Sequence, residues 1–121
     1  MPLLSYTNFA LLNIMLYSII NDEKNISVDA QYNSEGNLRI IGQDLSNDIA
    51  TIFGDDISEY EWSIIIHKKD FHLLTEILNN SFSEDCLKII YKKFSNEKAL
   101  HFESFCKDNN IPYKFTNRYG N

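Results

Sequence analysis

Residues 26–41 have the sequence ISVDAQYNSEGNLRII, in which apolar and polar side chains alternate on both sides of a short polar segment. Every second residue from Ile26 to Tyr32 is apolar or aromatic, which is typical of a strand with one buried face. Residues 33–36 (NSEG) are turn formers and include a glycine that accepts a positive φ. Leu38 and Ile40 then share one face of a returning strand, Asn37–Ile41, so the pattern predicts a β-hairpin.

The segment before this hairpin is ambiguous. Residues 11–20 are almost continuously apolar, which suits a buried strand or a buried helix. Residues 21–25 (NDEKN) have turn composition and would join it to Ile26. We favour a strand from about Asn13 to Ile20, with a helix as the alternative.

A further strand is predicted after the hairpin, following a polar loop at residues 42–54. Within that loop Ile49, Ile52 and Phe53 have helical spacing, and Gly54 suits a helix end. The strand itself covers residues 59–66. We expect a core face (Tyr60, Trp62, Ile64, Ile66) and a solvent face (Glu59, Glu61, Ser63).

Three helices and a short strand are expected in the remainder. The first helix spans residues 68–79, and the second begins at an N-cap Ser83 with Glu84 and Asp85 in its first turn. A third is capped by Asn96 and runs to about residue 108, and residues 113–115 form a short last strand. The chain, residues 1–121, is therefore predicted to be one α+β domain, with an antiparallel sheet of about four to five strands and helices on one face.

The negative charge is concentrated in the first half of the chain. The formal net charge is −6, yet residues 21–61 alone hold ten acidic and only two basic residues. Such a domain should be repelled by nucleic acid and by anionic lipid, and should attract a basic protein. The simpler alternative is that the acidic residues only maintain solubility.

The two cysteines and the N-terminus predict a cytoplasmic protein. Cys86 and Cys106 fall at apolar-compatible helical positions, which favours buried, reduced thiols over a disulfide. The N-terminal 25 residues begin with a mainly apolar stretch, but no Lys or Arg precedes Lys24, so a signal peptide is not expected. Polar residues interrupt this segment, and it is too short for a convincing membrane span.

No catalytic or metal-binding motif is present in the sequence. The chain lacks a nucleophile elbow, clustered glycines for phosphate, and paired Cys/His spacing for zinc. His67 and His72 bracket Asp70, but imidazoles five residues apart on a helix point to different faces. We therefore predict no enzyme activity, no metal and no cofactor.

Several short motifs resemble a group of small bacterial proteins. These are Gly42-Gln43-Asp44-Leu45, Phe53-Gly54-Asp55, Glu59-Tyr60-Glu61-Trp62, Lys69-Asp70-Phe71 and the ending Asn110-Ile111-Pro112-Tyr113-Lys114-Phe115. The resemblance covers about residues 26–115. Proteins of this kind are similar in size and charge to immunity proteins of toxin–immunity systems, including those of contact-dependent growth inhibition.

The resemblance implies a protein that binds and neutralises a partner toxin, often a nuclease, and it supplies no active-site residues. An acidic domain can cover the basic substrate surface of such a toxin. The candidate partner-binding residues are six carboxylates of the acidic segment 21–61: Asp44, Asp48, Asp55, Asp56, Glu59 and Glu61. Two alternatives remain: a small enzyme using this Asp/Glu cluster with His67 or His72, and a structural subunit that assembles with copies of itself.

Overall fold

The computed structural model describes residues 13–78 and 85–120, which form an antiparallel sheet with helices packed against it. Five strands follow one another in space as in the chain: β1 Asn13–Ile20, β2 Asn25–Tyr32, β3 Leu38–Asp44, β4 Glu59–Ile66 and β5 Lys114–Gly120. The helices are α1 Ile49–Phe53, α2 Phe71–Leu78, α3 Cys86–Phe94 and α4 Phe102–Asp108. This architecture confirms the predicted α+β class.

The core lies between the helices and one face of the sheet, which we call the helix face. Alternate residues of the three central strands supply it because successive side chains of a strand point to opposite faces. They are fully or almost fully buried: Val28, Ala30, Leu38, Ile40, Ile64 and Ile66. From the helices, Leu74, Ile90 and Phe102 are each 0% exposed and complete this core.

Residues 13–20, for which the sequence allowed a strand or a helix, form strand β1 and pair with β2 as predicted. The register shifts between Met15 and Tyr17, so β1 carries an irregularity of the β-bulge type. Leu16, at the shift, is buried in the core. Residues 11 and 12 lie outside the described part of the chain.

Two strands are longer than predicted. β3 continues beyond Ile41 to Asp44, because Gly42 leaves room for the Trp62 ring that lies across it from β4. β5 does not stop at Phe115 but pairs with β4 as far as Gly120. In both places long-range pairing extends a strand through residues of weak strand propensity.

The helix starts also differ from prediction. Asp85 is the N-cap of α3 rather than a first-turn residue, and its Oδ1 accepts a hydrogen bond from Leu87 N at 2.8 Å. The same carboxylate accepts the hydroxyl of Tyr32 in β2, which fixes α3 to the sheet. The predicted cap Ser83 lies outside the described residues. Asn96 has φ 66° and follows the N-cap Ser95, and the predicted helix there begins as a 3-10 turn, Asn96–His101, before α4.

The helix predicted for residues 68–79 begins with a 3-10 turn, Lys68–Asp70, and continues as α2 to Leu78. His67 caps this turn, with its Nδ1 accepting from Lys69 N at 3.1 Å. Residue 79 lies outside the described range.

Both cysteines are buried and unpaired, as the sequence predicts. Burial raises the pKa of the Cys86 thiol to about 11 and that of Cys106 to about 12. Neither thiol therefore ionises at neutral pH in the folded protein. No helix within the described residues has the length and apolar character needed to cross a bilayer.

Candidate protein-binding surface

One end of the sheet brings together most of the acidic residues of the first half of the chain. Pairing of Asp44 with Tyr60 and of Glu59 with Gly120 places the end of β3, the start of β4 and the end of β5 side by side. The loop after β3 is hydrogen-bonded to the start of β2 by Leu45 N to Asn25 O at 2.8 Å, and to the β1–β2 turn by Asn47 Nδ2 to Asp22 O at 2.8 Å. We call this region the acidic end; its carboxylates are Asp22, Glu23, Asp44, Asp48, Asp55, Asp56, Glu59 and Glu61.

All six candidate residues therefore lie at the acidic end, but not on one flat face. Asp48, Asp55 and Asp56 are exposed in and around α1, whereas Asp44, Glu59 and Glu61 are half-buried. Asp44 shares the helix face with its partner Tyr60, while Glu59 and Glu61 point to the opposite face of the sheet. The carboxylates thus surround the sheet end.

Ser63 departs from the expected solvent face of β4. It is 4% exposed, and its hydroxyl lies 2.6 Å from Thr116 Oγ1 on β5. This contact is possible because β5 extends past Phe115, which the sequence does not predict.

Two of the six carboxylates already have partners within the chain. Asp44 Oδ1 accepts from Ser46 N at 2.9 Å and thereby shapes the loop after β3. Glu61 pairs with Arg118 at 3.3 Å, and Glu61, with a smaller effect from Glu59, raises the pKa of Arg118. Among the described residues, Glu61 is the only one of the six in an ion pair. The exposed acids of α1 and the following loop are thus available to an external cation.

An exposed aromatic cluster lies within the acidic end. The rings of Phe53 and Tyr60 stack at 5.2 Å, and Tyr119 contacts both, at 4.8 Å from Phe53 and 5.1 Å from Tyr60. Although they pack together, Phe53 remains 39% exposed and Tyr119 49% exposed. Neighbouring Ile52 is 63% exposed. The helix α1 therefore presents apolar surface next to its acidic flanks.

A groove of about 260 Å³ continues this apolar surface along the helix face. Tyr60 belongs to the aromatic cluster and also lines this groove. The other lining residues are Trp62, Ile64, Leu100, Glu103 and Phe115. Leu100 and Phe115 are large apolar side chains left 41% and 40% exposed at its sides. The groove forms because the helices cover the central strands more completely than they cover β5. All residues of β5 except the last are exposed.

The alternative Asp/Glu/His site is not assembled by the fold. His67 follows the far end of β4, so about 25 Å of extended chain separates it from Glu59. His67 instead lines a separate depression with Asp70, Tyr113 and Lys114. Within residues 13–78 and 85–120, no three His, Cys, Asp or Glu side chains are grouped so that they could hold a metal ion.

Sequence reasoning located the carboxylates but missed the aromatic surface. The sequence assigns Phe53 only to a helically spaced apolar group, and Tyr119 lies beyond the predicted end of the last strand. The signal for Tyr119 is the alternation of Phe115, Asn117 and Tyr119, which continues the period of a strand. Only the pairing of β4 with β5 shows that this alternation ends beside α1.

Comparison with known proteins finds no match: no protein-family model fits the chain, and no curated protein or solved structure is significantly similar to it.

Proposed function

We propose that this chain is an immunity-type protein that binds and neutralises a bacterial toxin through its acidic end. The observation that carries the proposal is the cluster of exposed Phe53 and Tyr119 with half-buried Tyr60, surrounded by carboxylates. Aromatic side chains at the centre and charges around the rim are the usual arrangement of a protein-binding surface.

The charges favour a basic partner. A nuclease has a basic surface for its substrate, and an acidic protein that covers this surface blocks the substrate directly. Complementary charge also accelerates association, which suits an inhibitor that must reach its toxin before damage occurs. The buried, unpaired thiols of Cys86 and Cys106 are compatible with the reducing cytoplasm, where such a toxin would act.

The two parts of the surface have separate expected roles. The exposed carboxylates Asp48, Asp55 and Asp56 mainly set the association rate, because they act at long range and desolvate little. Phe53 and Tyr119 mainly set the dissociation rate, because their burial against the partner removes apolar area from water.

The proposal predicts that a toxin domain is encoded beside the gene of this chain, and a domain found there is the partner to use in the test. Co-expression should restore growth of cells that make the toxin domain, and the purified proteins should associate more slowly as salt is added. The variant D48N/D55N/D56N should lower the association rate about tenfold or more at low salt. The matched control E35Q/E76Q/D108N neutralises three exposed carboxylates outside the acidic end and should have a much smaller effect. Equal effects of the two triple variants, or no binding by the native chain, would remove the proposal.

A further inference from the structure

Strand β5 is a regular sheet edge that no described strand covers. It pairs with β4 along seven residues without a register shift, and six of these residues are exposed. The opposite edge, β1, contains the irregularity at Met15–Tyr17, which makes a strand a poorer template for a further strand. Among the strands that the structure describes, the edge that remains open to regular pairing is therefore β5.

The sequence of β5, KFTNRYG, is compatible with antiparallel pairing to itself in one register. A two-fold axis through Asn117 sets Lys114 opposite Gly120 of the second copy, Phe115 opposite Tyr119, and Thr116 opposite Arg118. This register pairs all seven residues and places no two cations opposite each other. Centring on Thr116 would instead oppose Lys114 and Arg118, and centring on Arg118 would oppose that residue to itself; both arrangements are destabilising.

The same register creates an ion pair between copies. Gly120 has no side chain, and Glu59 occupies the space above it: a Cβ atom at position 120 would lie 2.5 Å from Glu59 Oε1. Glu59 therefore extends over β5 towards the free edge, where Lys114 of the second copy would lie opposite Gly120. The backbones of Glu59 and that lysine would be two strand spacings, about 10 Å, apart across the sheet, with only the glycine between them. The two-fold axis produces this pair twice.

Aromatic side chains complete the match on the helix face. Phe115 and Tyr119 share that face with Tyr60, and they are 40% and 49% exposed. In the Asn117-centred register each Phe115 lies opposite a Tyr119 of the other copy. Such cross-strand aromatic pairs stabilise neighbouring strands.

We propose that two copies of this chain pair antiparallel through β5, centred on Asn117, and form one continuous ten-stranded sheet. The inference goes beyond toxin binding, since it concerns a different partner and rests on the edge strand. Both grooves of the helix face would then lie side by side across the two-fold axis.

The test is sedimentation equilibrium of the purified chain from micromolar to several hundred micromolar, with far-UV circular dichroism as a check on folding. The native chain should show a monomer–dimer equilibrium. E59K and K114E should each weaken the dimer about tenfold, because each replaces two symmetric attractions by two repulsions. The exchanged variant E59K/K114E should recover the native dissociation constant to within about threefold, and the control K88E should leave it unchanged.

A native chain that stays monomeric throughout this range overturns the proposal. A dimer that is indifferent to E59K and K114E also overturns it, because its interface then lies elsewhere. If the chain is monomeric alone but K114E weakens its binding to the toxin domain, the edge belongs to a strand of that partner instead. Because Lys114 lies outside the acidic end, K114E separates failure of the dimer from failure of toxin binding.

Discussion

The close contact between Gly42 and Trp62 predicts that the G42A substitution changes the stability in opposite directions with and without the tryptophan. Gly42 in β3 lies opposite Trp62 in β4, and a Cβ atom at position 42 would lie 2.0 Å from Cε2 and 2.3 Å from Nε1 of the indole. These distances are far inside van der Waals contact. Moving Trp62 aside would also cost stability, because its ring packs against the core and lines the groove. The variant G42A must therefore displace the ring or the strand.

The expected cost of G42A is that of overpacking a core, about 1–3 kcal/mol. With a urea m-value of about 1–3 kcal/mol/M, this lowers the unfolding midpoint by roughly 1 M. In a W62L background the obstacle is absent, and Ala is preferred to Gly within a strand by about 0.5–1 kcal/mol. The same substitution should then be neutral or slightly stabilising, so the two changes are strongly coupled.

The measurement is a double-mutant cycle of native, G42A, W62L and G42A/W62L by urea denaturation. Far-UV circular dichroism is the appropriate signal, because Trp62 is the only tryptophan of the chain. A coupling free energy of about 2 kcal/mol is expected from the difference between the two backgrounds. Additivity of the two substitutions within about 0.5 kcal/mol would refute the proposed contact.

Three further predictions concern the anchoring of α3, the thiols and a carboxyl group on the sheet. D85A should cost about 1–3 kcal/mol in urea denaturation because it removes the acceptor for Leu87 N and for the hydroxyl of Tyr32, whereas D85N should retain most of the stability. Cys86 and Cys106 should resist a thiol reagent in the native protein and react fully in denaturant; rapid native labelling at neutral pH would contradict their burial. Burial raises the pKa of Asp29, and its Oδ1 is buried without a hydrogen bond from any described residue, so ionisation of this carboxyl opposes folding as the pH rises above its ordinary pKa. D29N should therefore stabilise the protein at pH 7 and lose this advantage as the pH falls towards the ordinary value of an aspartate, 3.8; an equal effect at both pH values would count against this cause.

The strands with clear alternation could be predicted from the sequence because one face of each is buried. This holds for β2 and for β4, whose polar and apolar residues alternate. The extension of β3 could not be predicted, since Gly42 is usually read as a strand end and its role depends on a tryptophan 20 residues later. The length of β5 depends likewise on pairing with β4, which overcomes the weak strand propensity of Asn117 and Gly120.

Part of the candidate binding surface could likewise be predicted from the sequence, and part could not. Its carboxylates come from one continuous acidic segment, so their clustering could be anticipated from charge alone. The aromatic cluster joins Phe53 and Tyr60 to Tyr119, which is about half the chain away, and only the order of the strands brings it there. The local sequence therefore indicates the acidic rim of the surface, whereas the aromatic centre depends on the pairing of distant strands.

The most direct test of the binding surface is amide hydrogen exchange of the chain alone and bound to a toxin domain that it neutralises, at equal chain concentration. Binding through the acidic end should slow exchange in residues 44–61 and 115–120, and should leave the turn at residues 33–37 and the start of α2 unchanged. Protection centred on those two distant segments, with none around α1, would contradict the account.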